Sequence, residues 1–468
     1  MSRRLRVLHA IHDYLPRHGA GSEIYAAGLT AALARRGVHP AVLCAEFDPA
    51  RPHGALDWRT HDGLPVVELV NNWRFGDLAA TWSSPALERA LGHVLDALQP
   101  DVLHVHSLLN LTLTLPALAR RRGIPVVATL HDHTLVCPSG GQRVHRADHH
   151  VCRDIEPARC ARCFRESPFY GQMQAGRLAG SAGPLAAHVA ARLRRVVPLA
   201  LALAGRALAH APGPAIDSTA IEARLAAARE AWRHFDLVVS PSAALAAAFR
   251  DLGFPADSIV IADYGLDPMP PVQRIPRGDG PLRVGYAGTI VWHKGVDVLI
   301  DAMRLLPRGL AELLIFGDPD VFPDYTLDLR RRAEGLPVRF MGGYRRADIG
   351  GVFARIDVLA VPSRWMENSP LVIHEAFMAG VPVIGARIGG IPELITPGRG
   401  GLLVDPDSPA DLAAAIRRLA EEPGLASALA ASAPPVRSMD EDAADWEARY
   451  REVLAASRAR PARAGSVA

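Results

Sequence analysis

Apolar positions along the chain fall into two alternating patterns, short runs with strand character and longer stretches with helical spacing. Leu5 to Ile11 is an apolar run, followed by the polar and glycine-rich segment His18-Gly19-Ala20-Gly21-Ser22-Glu23. From Ile24 to Arg36 the apolar residues recur at helical spacing, Gly37 is placed to stop that helix, and Ala41 to Ala45 reads as a second strand. Val66–Val70, Asp101–His106, Pro125–Leu130 and Leu237–Ser240 are further strand-like runs with helical patterns between most of them. Such alternation predicts a parallel α/β sheet. Two segments break the rhythm. Pro138 to Arg165 is a Cys/His-rich loop, and Ala175 to Trp232 is rich in Ala, Leu and Arg and reads as a helical insertion.

A turn-rich stretch from Asp263 to Pro271 reads as an interdomain linker. Beyond it the alternation restarts with strands over Leu282–Tyr286, Glu312–Phe316, Arg339–Met341, Val358–Val361 and Val381–Ile384, and helices over Val296–Leu305 and about Leu371–Ala379. The expected fold is therefore α/β, with two Rossmann-like domains. The N-terminal one spans 1–268, with the Cys-rich loop at about 137–165 and the insertion at about 175–232; the C-terminal one spans 281–433. A late helix around Asp445–Leu454, bounded at 439–456, is more than the second domain needs.

Composition narrows the function classes. At 468 residues the length favours two or three domains, and 49% hydrophobic with 22% charged residues excludes a disordered or fibrous chain. A net charge of +3 gives no global reason to expect nucleic-acid binding. The opening SRRLRVLHAIHDYL lacks the ~7–15-residue apolar core of a secretory signal. No stretch reaches the ~18 apolar residues of a membrane span; the nearest, Val196–Gly205, holds a proline and is bounded by Arg194, Arg195 and Arg206. Five cysteines, an odd number, point to a reducing cytoplasm. One imbalance stands out: of 52 Lys+Arg, Lys294 is the single lysine. A background that converts lysine to arginine elsewhere makes a retained lysine worth following.

Glu367-Asn-Ser-Pro-Leu-Val-Ile-His-Glu375 places Pro370 at a helix first turn, Glu367 in the loop before it and Glu375 about one turn in. Unpaired amides and the positive dipole end of that helix suit a diphosphate, and carboxylates beside it suit hydroxyl groups of a sugar and a ribose. On spacing alone, an amphipathic helix with solvated glutamates is the other reading. The run from Trp365 to Pro382, Gly389-Gly-Ile-Pro-Glu393 and Gly401-Leu-Leu-Val404 together resemble the family 4 retaining glycosyltransferases of the GT-B fold. The likeness continues through the HGAGSE loop, the His131 region and Gly288-Thr-Ile-Val-Trp-His-Lys-Gly295, with 138–235 least like the common pattern.

The resemblance implies a fold in which two Rossmann-like domains face each other across a cleft and the late helix packs back on the N-terminal domain. It further implies that Glu375 holds the nucleotide ribose, that Glu367 sits near the transferred sugar, and that the backbone from Ser369 through Pro370 and Leu371 to Val372 surrounds the diphosphate, with its N–H groups as donors. By the same resemblance His131, at a strand's carboxyl end, faces the donor sugar, while His104 and His106 read as core or supporting histidines. Lys294 would neutralise the leaving phosphate. The family's second cation, next to the first glycine, is replaced by Thr289. Gly21 opens a helix where backbone can approach phosphate or acceptor, though glycine-rich loops are also simple tight turns.

The activity implied is retaining transfer of a sugar from a nucleoside-diphosphate sugar to a hydroxyl acceptor, a glycan or lipid-linked molecule, with no metal or other cofactor required for the chemistry. Cell-surface polysaccharide, lipopolysaccharide or glycolipid synthesis is the implied setting. A nucleotide-sugar 2-epimerase on the same architecture and a non-catalytic zinc- and membrane-binding scaffold derived from a transferase are the rival readings. Cys137, Cys152, Cys160 and Cys163 lie within 27 residues and suit a closed structural Zn²⁺ site, with His145, His149 and His150 as substitute ligands; unrelated free thiols are the alternative. Pro184–Ala211 carries His188, Arg192, Arg194, Arg195 and Arg206 among aliphatics, either a basic face for the inner membrane surface or an arginine-fringed core helix.

Overall fold

Apolar runs bounded by turn residues become the inner strands of two sheets. The computed structural model describes residues 4–177, 214–396 and 398–459. The basic stretch Pro184–Ala211 and most of the 175–232 insertion lie outside the described residues. The first sheet contains β1 (Arg6–Ala10), β2 (His39–Glu46), β3 (Leu56–His61), β4 (Leu64–Val70), β5 (Val102–Val105), β6 (Val126–Thr129), β9 (Leu237–Ser240) and β10 (Val260–Ile261); β7 (Val144–His145) and β8 (His150–Val151) form a separate hairpin. Its order is β10-β9-β6-β5-β1-β2-β4-β3, parallel throughout except for the β3–β4 pair. Helices cover both faces, so β1, β5 and β6 are buried almost end to end.

The second sheet contains β11 (Leu282–Ala287), β12 (Ala311–Phe316), β13 (Val338–Gly342), β14 (Val358–Val361), β15 (Val383–Ala386) and β16 (Gly401–Val404). Its order is β13-β12-β11-β14-β15-β16, all parallel. In each sheet the chain reverses direction of growth beside the first strand, between β1 and β5 and again between β11 and β14. Loops diverge at such switch points and leave a crevice at the carboxyl ends of the strands.

Two features add to the sequence reading. The helix Ser218–Trp232 is not an appendage: Ile221, Leu225, Ala228, Ala231 and Trp232 belong to the N-terminal core, and the helix leads into β9 as a crossover. The antiparallel strand β3 is an addition to the reading, because Leu-Asp-Trp-Arg-Thr-His has mostly exposed or half-buried positions and joins the sheet through its backbone at an edge.

The linker is pinned. Leu266 is buried, its amide donates to the Arg437 carbonyl at 3.0 Å, and the Met439 amide donates back to Leu266 at 2.9 Å, so outgoing and returning segments run side by side. The helix Met439–Ala459 then crosses back to pack on the helix Gly21–Arg35, burying Met439, Ala443, Trp446 and Tyr450 with Tyr25 and Leu29. Among the described residues no helix is long and apolar enough to cross a membrane.

Candidate functional site

The loops after β11 and β14 meet over the switch point of the second sheet. The β11 loop ends in a single 3-10 turn, Trp292–Lys294, closed by Gly295 at φ 73°, where a side chain would also strike the Pro362 carbonyl. Arg364, in the β14 loop, ties the two together. Its guanidinium donates to both carboxylate oxygens of Asp297 at 2.6 and 2.8 Å and to the Trp292 carbonyl at 3.0 Å, while its amide donates to the His293 carbonyl at 2.9 Å. Lys294 is thereby aimed at Glu367. Its Nζ donates to Glu367 Oε1 at 2.6 Å and stands 5.0 Å from the centre of the Trp365 ring; Ser363 Oγ donates to the same oxygen at 2.6 Å. Glu367 is buried, whereas the lysine side chain retains 27% exposure. An ammonium carries three hydrogens and one is committed to Glu367, so the others are free to meet an anion in the crevice.

The glycines of Gly389-Gly390 form the floor beneath this loop. The Gly390 amide donates to the Glu367 carbonyl at 2.7 Å, and a Cβ on Gly390 would stand 1.7 Å from the Asn368 carbonyl oxygen. Gly390→Ala is accordingly expected to displace the Glu367–Asn368 loop, costing about 1–3 kcal/mol of stability. Thermal unfolding of the variant checks this; an unchanged midpoint would count against it. Glu393, at the end of the same motif, reaches the other domain, where its carboxylate accepts from the Ala243 and Ala244 amides at 2.8 and 2.7 Å. It caps the N-terminus of the helix Ala243–Asp251, where a negative charge is favoured.

The helix Leu371–Met378 begins beside this loop. Pro370 is its N-cap in extended conformation, one position before the expected first turn, and the Leu371 and Val372 amides lie in the stretch that has no intrahelical acceptor. Ser369 Oγ is engaged with Asp263 of the linker at 2.6 Å and with His374 at 2.9 Å. Asn368 donates from Nδ2 to the carbonyl of His131, and Gly21 lies where a Cβ would be 3.6 Å from Leu371. Both N-terminal positions therefore meet the C-terminal domain at one place. Thr289 is exposed, and its carbonyl accepts from Tyr286 Oη at 2.6 Å. Glu375 is buried and paired with Arg346, which the sequence reading did not single out.

On the N-terminal side, the β1 and β6 ends carry His12, Asp132 and His131, and the first turn of Gly21–Arg35 carries Glu23. Glu23 is buried and 3.0 Å from His12 Nε2. Burial disfavours both charges, but the pair outweighs it: Glu23 is held below, and His12 above, its ordinary range. Glu23 was legible only as the last letter of the HGAGSE segment. Behind it runs a row of histidines, with His9 Nδ1 3.1 Å from His106 Nε2, His106 Nδ1 2.9 Å from His131 Nε2, and His131 Nδ1 2.8 Å from Tyr264 Oη. His104 sits between Thr129 and Tyr450, both at 2.7 Å.

Burial pushes His9 and His131 down to about 3 and holds His104 and His106 well below 6.5. All four are neutral in the fold, so on acidification the unfolded chain takes up protons from about pH 6.5 that the folded chain refuses until near pH 3. Stability is expected to fall with pH across that window. His12 works the other way, its contribution being present at low pH and lost as pH rises through its folded value, but it is one group against four. Unfolding midpoints measured from pH 7.5 to 4.5 test this, and a flat profile contradicts it.

The four clustered cysteines are free thiols around the β7–β8 hairpin and the helix Pro157–Arg165. Burial pushes Cys160 up to about 12, with Cys137, Cys152 and Cys163 adding to it, and Cys163 up to about 11. They are neighbours, yet they are not among the side-chain groups whose ligand atoms all stand within 4.8 Å of one another among the described residues; those are His9–His104–His106 and His145–Asp148–Glu166. The candidate substitute ligands are occupied elsewhere. His145 is 2.6 Å from Glu166 and 3.1 Å from Asp148, His149 stacks on Trp292 with ring centres 4.7 Å apart, and His150 is 3.8 Å from Glu156.

Comparison with known proteins bears on both halves. Residues 20–157 match the family model described as glycosyl transferase 4-like domain, and 281–422 match glycosyl transferases group 1. A D-inositol 3-phosphate glycosyltransferase of Corynebacterium kroppenstedtii is 33% identical over 37% of this chain and 35% of its own. A glycogen synthase of Mycobacterium tuberculosis is 30% identical over 47% of this chain and 53% of its own. The chain thus spans between about a third and a half of these curated relatives. Among solved structures, sucrose-phosphate synthase from Thermosynechococcus elongatus superposes over 97% of this chain and 100% of its own, with TM-score 0.64 and 18% identity. Anabaena HepE in complex with UDP and glucose covers 98% of this chain and 100% of its own, with TM-score 0.59 and 17% identity. With one matched domain in each half and this shared two-sheet architecture, the chain belongs to the family 4 glycosyltransferases of the GT-B fold.

Proposed function

We propose that this chain transfers a sugar, with retention of anomeric configuration, from a nucleoside-diphosphate sugar to a hydroxyl acceptor in the assembly of a cell-surface polysaccharide, lipopolysaccharide or glycolipid. The observation that carries the reading is Lys294, held by Glu367 and Trp365 at the C-terminal switch point. Departure of the nucleoside diphosphate builds charge on the β-phosphate, and a fixed ammonium with the Leu371 and Val372 amides stabilises that charge without a divalent cation. Glu367 Oε1 already accepts from Lys294 and Ser363, so this oxygen of the carboxylate orients the cation. The acceptor hydroxyl then attacks from the face the phosphate leaves, and the phosphate takes its proton. Glu375 binds the ribose, in exchange with Arg346, and His131 lines the sugar side. The carbonyl of His131, bonded to Asn368, supports a cleft assembled by both domains.

Donors carrying UDP are the first to try, since HepE binds UDP and glucose in its solved complex. The test is a panel of nucleoside diphosphates in thermal unfolding, followed by release of the stabilising one from its sugar in the presence of glycan and lipid acceptors. Stabilisation by one base and acceptor-dependent release are expected. Failure of every diphosphate to stabilise the protein, or epimer formation without acceptor, would overturn the reading.

A further inference from the structure

The Cys-rich segment has little core of its own. Between Cys137 and Glu156 the buried apolar residues are Pro138 and Val144, yet the segment forms a hairpin and leads into a helix. Its cysteines converge from three elements. Cys137 follows the Leu135–Val136 stretch after β6, with its amide bonded to the His133 carbonyl at 2.8 Å. Cys152 leaves β8 with its amide donating to the Arg143 carbonyl at 2.8 Å, next to β7. Cys160 and Cys163 share one face of Pro157–Arg165 at a three-residue spacing, and Cys163 Sγ lies 4.0 Å from the Val144 carbonyl. Val144 is the register partner of Val151, so Cys152 and Cys163 both flank the hairpin strand β7.

Charge supplies an independent observation. Arg143 and Arg224 are only 6% and 8% exposed, and arginine is seldom buried to that degree without a negative partner. Their hydrogen bonds go to carbonyls: Arg143 to Arg153, and Arg224 to Leu135 and Thr134 at 2.8 and 2.6 Å. Among the described residues neither has a carboxylate within ion-pair distance. Both are tied to the cysteine segment: the Arg143 carbonyl accepts from the Cys152 amide at 2.8 Å, and the Arg224 guanidinium grips the two carbonyls of Thr134 and Leu135 just before Cys137. Four thiolates on a divalent cation carry a net charge of about −2, which two buried guanidinium groups balance. Thiolates alone repel, so a cation is what closes such a set.

We propose that Cys137, Cys152, Cys160 and Cys163 bind one Zn²⁺ as a structural tetrathiolate, neutralised by Arg143 and Arg224, that builds an arm across the cleft. The arm is the β7–β8 hairpin. At its tip His149 stacks on Trp292, and Arg146 lies 5.1 Å over the Phe322 ring, both on the C-terminal domain. Trp292 begins the turn that ends at Lys294, so the metal would brace the far side of the cleft against that turn. The cysteine spacing suggested a metal; the buried arginines and the reach of the hairpin give it a charge balance and a place in the molecule.

The full chain, purified under reducing conditions without added metal, is expected to contain about one equivalent of zinc by elemental analysis. Replacing zinc with Co²⁺ is expected to give the intense near-ultraviolet thiolate charge-transfer bands and visible d–d bands of a tetrahedral cobalt thiolate. Cys160→Ser/Cys163→Ser should lose both the zinc and the bands. As a check that does not depend on the folding of that variant, the wild-type protein is also stripped with a thiol-reactive mercurial and titrated again with Zn²⁺ after reduction. Uptake of about one equivalent supports the site. Less than about half an equivalent both as purified and after titration overturns it, as does iron in place of zinc, or zinc retained in full by the double variant.

Discussion

Lys294→Ala is expected to lower kcat/KM by about 100- to 1000-fold, the loss seen when one preorganised donor to a developing anion is removed. The lysine is fixed from two sides, by Glu367 Oε1 at 2.6 Å and by the Trp365 ring at 5.0 Å, so its charge is in place before a substrate arrives. Its removal also leaves the buried Glu367 carboxylate with Ser363 as its remaining side-chain donor, which adds a stability loss that thermal unfolding separates from catalysis. Lys294→Arg is the sharper variant. It restores the charge but brings a planar fork where a compact ammonium sits under Glu367 and beside Trp365, and it is expected to recover less than about a tenth of the activity. Steady-state kinetics on the best donor, with binding of its nucleoside diphosphate measured separately, decides the matter. Activity of either variant within about threefold of wild type would remove Lys294 from the site.

That lysine was visible in the sequence because 51 of 52 basic residues are arginine, and the apolar runs that became β11 and β14 placed its loop correctly. What surrounds it was less legible, for a physical reason. Arg364, which aims the turn through Asp297, looks like any of those arginines until its partner 67 residues away is known. Glu393 caps a helix that begins 150 residues earlier, and Ser369 is bound by Asp263 from the linker, 106 residues away. Periodicity and spacing report contacts within an element or a loop, whereas these contacts come from the docking of two domains. The glycines of Gly389-Gly390 were recognised as a motif, but the reason for them, a neighbouring backbone closer than any Cβ permits, is a property of the packed loops. The edge strand β3 escaped because backbone pairing at an edge asks little of its side chains.

Trp446→Ala is expected to cost about 3–5 kcal/mol, the range for deleting a large buried aromatic. Trp446 is 1% exposed in the helix that returns from the C-terminal domain. Its ring lies 4.2 Å from that of His104, and Nε1 donates to Tyr25 Oη at 3.0 Å; Tyr25 in turn donates to Asp442 Oδ2 at 2.8 Å. Asp442 also accepts from the Gly265 amide at 3.1 Å and pairs with Arg437 at 3.1 Å, so the same knot holds the returning helix, the linker and the helix Gly21–Arg35. Truncation opens a cavity beside His104 and leaves one acceptor site on Tyr25 unfilled. For a domain of this size the loss corresponds to a midpoint lower by about 6–20 °C. Two-transition calorimetry should place that shift in the N-terminal domain, leaving the C-terminal transition in place. Trp446→Phe keeps most of the packing and removes only the Nε1 donor, so it should cost about 1 kcal/mol. A drop of under about 2 °C in the alanine variant would show that the returning helix is a passenger on the N-terminal domain and not part of its core.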